Sequence, residues 1–225
     1  MGKFYIVATP IGNLEDITLR ALRVLREVDV VLCEDTRVTK RLLEKYEIKK
    51  KHLMPYNEKQ SGVAAQKVIE MLASGKNIAL VSDAGTPTIS DPGARLIQEV
   101  KDTVFEVIAV PGANAAIAAL SISGLPSSDF LFLGFLPHKK GRETLFKEIA
   151  ASKRTVVFYE SPHRIIKALT SLKKFLSGNR KIFIARELTK IYEEGIMGTA
   201  DEFISYFERN RDKIRGEFVI VVGPT

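Results

Sequence analysis

The chain has 225 residues, of which 45% are hydrophobic and 27% charged, and its formal net charge is +7. This composition is typical of a folded protein of one or two domains, and no apolar run reaches the roughly 20 residues that a membrane span needs. The single cysteine, Cys33, excludes an internal disulfide framework and most zinc arrangements. The N-terminus lacks the pattern of a secretory signal, so we expect a cytoplasmic protein.

In the first half of the chain, short apolar runs alternate with amphipathic segments. Thr18 is the expected N-cap of the first helix, and Gly75 is expected to close the third. The lysine-containing segment 45–59 is predicted to be a solvated connection. The predicted strands are 3–8, 29–33, 76–81 and 104–110, and the predicted helices follow Thr18, run from about 36 to 45, and cover 61–74, 94–100 and 115–121.

The same alternation restarts after residues 124–128, which are the best candidate for a linker. Strands alternating with helices predict mostly parallel sheets with helices on their faces. We therefore predict two α/β domains, 1–122 and 123–225. In the second domain the predicted strands are 130–135, 154–159, 181–186 and 217–222, and the predicted helices are 141–151, 163–176 and 201–210.

The positive charge is concentrated in the second of these domains. Residues 1–124 carry 16 Lys/Arg and 15 Asp/Glu, which leaves 18 and 12 for residues 125–225. A basic half is consistent with a partner that carries phosphates, although many basic proteins have no nucleic-acid function.

The segment 81–93, VSDAGTPTISDPG, is the most unusual stretch of the chain. It packs two prolines, two glycines, two aspartates and four Ser/Thr between a predicted buried strand and a helix. Asp91 is the predicted N-cap of that helix and Pro92 its first residue. The segment is either a long connection with good capping chemistry or a binding loop, and its length and density of special residues favour a binding loop.

The loops that follow the predicted strands divide into two kinds. Neither a P-loop nor a GxGxxG fingerprint is present. Glycine, alanine and serine in the loops around Asp83 and Gly112 would let the backbone approach a flat or ribose-bearing ligand. The loops that begin at Glu34, Glu160 and Glu187 are rich in charge. A small-residue rim beside a charged rim suits a cofactor next to a polar substrate.

Several of these motifs together resemble the tetrapyrrole methylase superfamily, the class III S-adenosylmethionine-dependent methyltransferases. More narrowly, they are similar to the branch that methylates ribose 2′-hydroxyls, of cytidine, in small-subunit ribosomal RNA. The match spans nearly the whole chain in the family's order. Its motifs are VATPIGNLEDITLRAL (7–22), CEDTR (33–37), VSDAGTPTISDPG (81–93), VPGANAAIAALSISGLP (110–126), FLGFLP (132–137), FYESPHR (158–164), ARELTK (185–190) and GEFVIVV (216–222).

The resemblance implies two α/β domains with the active site in the cleft between them. It also implies S-adenosylmethionine as methyl donor, small-subunit ribosomal RNA or the small ribosomal subunit as substrate, and a homodimer. His52 and His138 have no partner ligands in the sequence, so we expect no metal. Members of this branch often carry a further C-terminal extension. The cofactor contacts implied for this chain are Pro10, Asp83, Ala84, Gly85, Ile89, Ser90, Ala115 and Tyr159.

Methyl transfer to a ribose hydroxyl is an in-line displacement, and the hydroxyl needs a base or an electrostatic partner. Asp35, Glu160 and Glu187 are the candidates for handling the proton. Arg37, Arg164 and Arg186 are candidates for binding phosphate or stabilising charge. For each, the alternative is an ion pair or a helix cap. His163 could serve as a base, but a surface histidine in the first turn of a helix is the favoured interpretation.

The basic loop 136–142 is the predicted RNA contact, through Lys139, Lys140 and Arg142. The alternative is a solvated turn. Tyr159 and Tyr192 could stack an unpaired base, whereas Phe158 is expected in the core.

Two other functions compete with ribosomal RNA methylation. A small-molecule methyltransferase acting on tetrapyrroles is disfavoured by CEDTR and by the basic second half. A non-catalytic RNA-binding assembly factor is disfavoured by the small-residue loops around Asp83 and Gly112. We therefore predict an rRNA (cytidine-2′-O-)-methyltransferase.

Overall fold

The structure is a computed structural model that describes residues 1–49, 51–58 and 61–225. The chain divides into two compact units, Met1–Asn114 and Ala115–Thr225. Each unit has its own five-stranded sheet and its own helices, which confirms the prediction of two α/β domains. The division lies before the helix 115–122 rather than after it, because that helix packs on strands of the second sheet. No helix in the described ranges is long and apolar enough to cross a membrane.

The first unit contains the strands β1 (Phe4–Val7), β2 (Val30–Cys33), β3 (His52–Pro55), β4 (Ile78–Leu80) and β5 (Val107–Val110), and the helices α1 (Leu19–Glu27), α2 (Thr36–Lys45), α3 (Ser61–Ala73) and α4 (Ala94–Lys101). The strands form a fully parallel sheet in the order β3-β2-β4-β1-β5. The connections out of β1 and β4 run in opposite directions across the sheet, so the carboxyl ends of these two strands form a topological switch point, where α/β sheets bind ligands.

Alternate residues of the strands face two separate cores. Val31 and Cys33 pack with α1 and α2 on one face of the sheet. Val30 and Leu32 pack with α3 and α4 on the other face. Because both faces are covered, β2 is fully buried and reads in the sequence as a continuous apolar run.

Thr18 caps α1 as predicted, and its side chain accepts the amide of Ala21. The prediction that Asp91 caps α4 is wrong. Gly93 is the N-cap, at a φ of 127°, and its amide donates to Glu58 from the loop after β3. A Cβ at residue 93 would lie 2.7 Å from the end of the Leu80 side chain, and the positive φ further favours glycine there.

The segment 45–59, predicted to be a connection only, contains β3. This strand lies at the edge of the sheet and is half exposed, so it lacks the apolar run that marks the central strands. Lys51 is not simply solvated, since its ammonium group donates to the carbonyls of Arg26 and Val28. Lys50 and Lys59 lie outside the described residues.

The second unit contains the elements α5 (Ala115–Ile122), β6 (Phe130–Phe135), α6 (Arg142–Ala151), β7 (Thr155–Glu160), α7 (Ile165–Phe175), β8 (Ile182–Arg186), β9 (Glu194–Gly198), α8 (Ala200–Arg209) and β10 (Phe218–Val222). Its strands form a mixed sheet in the order β6-β7-β10-β8-β9. Only the β6–β7 pair is parallel, so the prediction of a mostly parallel sheet is wrong for this unit. The strand β9 was not predicted, because two glycines and half-exposed positions hide its pattern.

Strand direction places the charged loops of the second unit together. β6, β7 and β8 run the same way, and β10 runs against them, so three strands end where β10 begins. The loops after Phe135, Glu160 and Arg186 therefore share one edge of the sheet with Glu217. We call this the charged edge. Phe158 is buried in the core beneath it, as expected.

Candidate active site

In the first unit, the loops after β1 and β4 are joined at the switch point. The Thr9 amide donates to the Gly85 carbonyl at 2.9 Å, and the Gly85 amide donates back to Thr9 at 3.1 Å. The buried Thr9 hydroxyl also donates to the carbonyl of Ser82 at 3.0 Å. These bonds fix the two loops to each other.

Close packing leaves little space for a side chain at two glycines of this region. Gly85 has a φ of +84°, and a Cβ there would lie 3.3 Å from the Ile11 side chain. A Cβ at Gly112 would lie 2.9 Å from the Cβ of Ala8. The Thr86 hydroxyl donates to the Ala113 carbonyl at 3.0 Å, which ties the loop after β5 to the same assembly.

The predicted cofactor residues of this unit lie along these loops. Pro10 and Gly85 are buried, and Asp83, Ala84, Ile89 and Ser90 are exposed. Thr88 and Ser90 adopt positive φ values of 73° and 68°. Residues in such strained conformations persist only where the surrounding structure holds them, and they are concentrated at binding sites.

Carboxylates gather beside the same loops. The pKa of Glu34 is raised by burial and by the nearby carboxylates of Asp91 and Asp83. Burial also raises the pKa of Asp91, with a smaller contribution from Asp83, against the hydrogen bond from Ser82. This corner of the first unit therefore favours a positively charged group over further negative charge.

Asp35 is the N-cap of α2 and forms an ion pair with Arg37. Its carboxylate accepts the Arg37 amide at 2.8 Å and the guanidinium at 2.6 Å. The hydrogen bonds from Arg37 lower the pKa of Asp35 to about 2. A carboxylate held in this way is a poor base at neutral pH, so the geometry favours the capping and ion-pair alternative for this pair. The Asp35 amide in turn donates to the Asp83 carboxylate at 3.0 Å.

At the charged edge of the second unit, Glu160 is fully buried between two arginines. Its carboxylate accepts Arg142 at 2.7 Å and Arg164 at 2.8 Å, and also the amide of Ser161. Arg142 also donates to the carbonyl of Pro137 at 3.1 Å, and Arg164 donates to the carbonyl of Leu136 at 2.9 Å. This buried triad ties together the loops after β6 and β7, which is the structural alternative for Glu160 and Arg164.

Arg186 belongs to a second network rather than to an open phosphate site. Its side chain is buried and donates to the Glu194 carboxylate and, at 3.2 Å, to the Tyr192 carbonyl. Glu194 also accepts the hydroxyl of Tyr206 at 2.6 Å and the ammonium group of Lys213. The pKa of Glu194 is lowered, since these donors outweigh the opposing effect of burial.

Glu187 is held in a strained turn directly after β8, at a φ of 52°. Its carboxylate accepts the Lys190 ammonium at 2.9 Å and the Glu217 amide at 3.0 Å. Burial opposes ionisation, but these hydrogen bonds outweigh it, and the pKa of Glu187 lies below its ordinary value. A Cβ at Gly216 would lie 2.4 Å from the Glu187 carboxyl carbon, so this arrangement requires glycine there.

The remaining predicted residues also lie in the second unit. Lys139 and Lys140 are exposed, as an RNA contact requires, whereas the Arg142 guanidinium is turned inward to Glu160 and is not available to phosphate. Tyr159 packs on Phe132 and Phe135, and its hydroxyl accepts the Ala116 amide at 3.2 Å, next to Ala115. His163 is exposed. Across the described ranges, no three His, Cys, Asp or Glu residues are arranged to hold a metal ion.

Sequence reasoning missed several residues that build the charged edge. Glu194, Tyr206 and Lys213 lie on elements whose contacts depend on the unpredicted β9. Gly216 and Glu217 begin the motif GEFVIVV, but only the pairing of β10 with β8 brings them to Glu187. The one signal in the sequence that could have indicated this contact is Gly216, a glycine directly before an apolar strand.

Comparisons with known proteins identify a family and closely similar relatives. The family model described as tetrapyrrole (corrin/porphyrin) methylases matches residues 3–204. A protein from Thermotoga maritima named "Ribosomal RNA small subunit methyltransferase I" is 48% identical, over 99% of this chain and 98% of its own length. A protein of the same name from Bacillus subtilis is 49% identical, over 99% of this chain and 75% of its own.

Solved structures share the fold at low sequence identity. The methyltransferase CobJ matches with a TM-score of 0.73 at 19% identity, over all of this chain and 95% of its own. A uroporphyrin-III C-methyltransferase from Thermus thermophilus, in complex with S-adenosylhomocysteine, matches with a TM-score of 0.67 at 17% identity. That match covers 99% of this chain and 97% of the other.

Proposed function

The chain belongs to the tetrapyrrole (corrin/porphyrin) methylases, and on this premise we propose that it is an S-adenosylmethionine-dependent methyltransferase of small-subunit ribosomal RNA. One observation carries the choice of substrate. Over 99% of its length, the chain is 48% identical to a protein named as a ribosomal RNA small-subunit methyltransferase. The finer proposal is that the target is the 2′-hydroxyl of a cytidine ribose, and that the working form is a cytoplasmic homodimer.

The residues of the first unit fit S-adenosylmethionine. Gly85 and Gly112 carry no side chain, and a Cβ would be tight at Gly85 and would clash with Ala8 at Gly112. Glycine at these positions allows an adenosyl group to approach the backbone closely. The carboxylates of Glu34, Asp83 and Asp91 favour a positively charged ligand. S-adenosylmethionine carries two such charges, and when bound it supplies an electrophilic methyl group on a sulfonium ion.

The residues of the charged edge suggest how the ribose hydroxyl is handled. Glu187 lies beside Lys190 and is ionised at neutral pH. Its two hydrogen bonds both end on Oε1, so Oε2 accepts none from the described residues, whereas arginines occupy both carboxylate oxygens of Asp35 and Glu160. We assign to Glu187 the acceptance of the hydroxyl proton and to Lys190 the stabilisation of the negative charge that develops on oxygen. Asp35 and Glu160, whose carboxylates are occupied by arginines, position their loops.

The RNA backbone is proposed to lie along the charged edge, at Lys139 and Lys140. Both side chains are exposed in the loop after β6, and neither forms an ion pair with any residue of the described ranges. Lysines of this kind neutralise phosphates and release counterions, so binding should weaken as salt rises.

The test is transfer of radiolabel from S-adenosylmethionine to small ribosomal subunits taken from cells that lack this activity. Free ribosomal RNA and a tetrapyrrole precursor serve as parallel substrates. Label on a ribose, recognised because a 2′-O-methyl group blocks alkaline cleavage at that nucleotide, supports the proposal. Label on a base overturns the finer proposal only. Label on the tetrapyrrole alone overturns the RNA assignment.

A pair of variants tests the cofactor assignment separately. Asp83→Arg places bulk and positive charge in the loop after β4 and should abolish S-adenosylmethionine binding in a calorimetric titration. Asp129→Arg, at an exposed surface ion pair of the second unit, is the matched control and should bind normally. Normal binding by Asp83→Arg would contradict the assignment.

A further inference from the structure

The loop between β8 and β9 presents two large apolar side chains to solvent at the charged edge. Ile191 is 95% exposed and Tyr192 is 62% exposed. A tyrosine ring that lies open beside basic groups is unusual, since aromatic side chains usually bury most of their area. Nothing in the proposed methyl-transfer chemistry uses either residue.

The Tyr192 ring is in contact with the guanidinium group of Arg215. The guanidinium carbon of Arg215 lies 5.5 Å from the ring centroid, within the range of a cation–π contact. Arg215 is exposed and forms no ion pair with any described residue, so its charge is available. Together, Tyr192 offers a π surface and Arg215 offers an uncompensated positive charge.

The backbone beneath the ring is held firmly. The buried Arg186 donates to the Tyr192 carbonyl and is fixed by Glu194. On the other side of the loop, the Thr189 amide donates to the Glu193 carboxylate, and Lys190 is bound by Glu187. A ring presented on a fixed loop loses little conformational entropy when a ligand covers it.

The Tyr192 ring lies at the same edge of the sheet as the loop that carries Lys139 and Lys140. Tyr192 follows β8 and Lys139 follows β6, and these two strands end at the same edge with β7 and β10 between them. At about 4.8 Å per strand, the ends of these two strands, from which the loops start, lie roughly 14 Å apart. A single strand of RNA can follow the lysines and reach the ring.

We propose that Tyr192 and Arg215 form a stacking site for one unpaired base of the RNA substrate. The inference rests on the proposed function, because it assumes that RNA binds the charged edge. Single-stranded RNA is recognised by stacking its splayed bases on aromatic rings and guanidinium planes, and every base offers a π face. The site therefore contributes affinity for an unpaired nucleotide near the target, without reading its identity.

The first experiment measures the affinity of variants for unmethylated small ribosomal subunits by co-sedimentation, together with kcat/KM for methyl transfer. Tyr192→Ala should lose between about 5-fold and about 150-fold in affinity, the range for removal of one base–aromatic stack. Tyr192→Phe keeps the ring and should stay within about twofold of wild type, since it removes only the hydroxyl. Arg215→Ala should show a smaller loss that Arg215→Lys partly restores.

The matched control is Ile191→Ala, which removes exposed apolar area from the same loop but no π face. Equal losses from Ile191→Ala and Tyr192→Ala, equal losses from Tyr192→Phe and Tyr192→Ala, or no loss from Tyr192→Ala would each overturn the stacking site. Because Tyr192 is largely exposed, its truncation leaves the core intact, and a thermal unfolding curve checks this.

A second readout separates this inference from the proposed function. Ultraviolet cross-linking of wild-type protein to subunits, mapped by reverse-transcription stops, should give one stop that Tyr192→Ala removes and Ile191→Ala retains. Binding without methyl transfer would overturn the proposed function and leave the stacking site supported if the stop depends on Tyr192. A stop that persists in Tyr192→Ala would overturn the stacking site alone.

Discussion

Replacing Glu160 by alanine should destabilise the protein strongly, because it leaves two arginines without their partner. The Glu160 carboxylate is fully buried and accepts Arg142 at 2.7 Å and Arg164 at 2.8 Å, while both arginine side chains are at most 15% exposed. Removing one partner of a buried pair costs about 3–5 kcal/mol, since the remaining charge is uncompensated. At about 3 °C per kcal/mol for a chain of this size, the midpoint of thermal unfolding should fall by roughly 9–15 °C.

Thermal and urea unfolding, followed by circular dichroism, measure this loss. Glu143→Ala is the matched control, because that glutamate pairs with lysines at 3.5 Å and 3.6 Å but is 62% exposed. Its loss should stay below about 1 kcal/mol. Glu160→Gln, which keeps the shape and one acceptor oxygen, should fall between the two. If Glu160→Ala unfolded within about 1 kcal/mol of wild type yet lost methyl transfer, Glu160 would act in the chemistry and the structural assignment would be refuted.

Three further outcomes are expected. The double variant Lys139→Ala with Lys140→Ala should reduce the slope of log affinity for small subunits against log salt by about 1.4–1.8, since each phosphate contact contributes about 0.7–0.9, and an unchanged slope would place the RNA elsewhere. Gly216→Ala should displace the Glu187 carboxylate and lose about 1–2 kcal/mol at a positive-φ position, measured by urea unfolding, and methyl transfer that survives intact would argue against Glu187 as proton acceptor. Glu34 has a raised pKa in the folded state, so its contribution to stability is complete below its unfolded pKa and is lost as pH rises through the folded value. Glu34→Gln should therefore be more stable than wild type at pH 7 in the absence of cofactor, with the difference shrinking towards pH 4.

Most of the first unit, apart from the edge strand β3 and the cap of α4, could be predicted because its signals are local. A strand buried on both faces reads as an apolar run, as β2 does, and a cap such as Thr18 is recognised within four residues. The switch-point loops could be found for the same reason. Their glycines and prolines follow the strands directly, and the bridge between Thr9 and Gly85 joins two loops that the motifs had already marked.

The charged edge could not be predicted residue by residue, because its partners are distant in sequence. Glu160 and Arg142 are 18 positions apart, and Glu187 meets the Glu217 amide across 30 positions. Both contacts depend on the order of strands in a mixed sheet, which local pattern does not determine. The sequence leaves both a catalytic and an ion-pair role open for Glu160, and the position of the two guanidinium groups favours the ion pair.

The position of β10 has a consequence for how the chain folds as it is synthesised. The strand lies between β7 and β8, although it is the last strand in sequence among the described residues. The first unit is continuous in sequence and is complete by Asn114, so it can fold while the rest is still being made. The sheet of the second unit cannot be completed until β10 has been synthesised, because β7 and β8 do not pair with each other and are joined only through Phe218–Val222. During that interval their unpaired edges are exposed, and we expect a nascent chain that stalls before residue 218 to be recognised by chaperones or to aggregate.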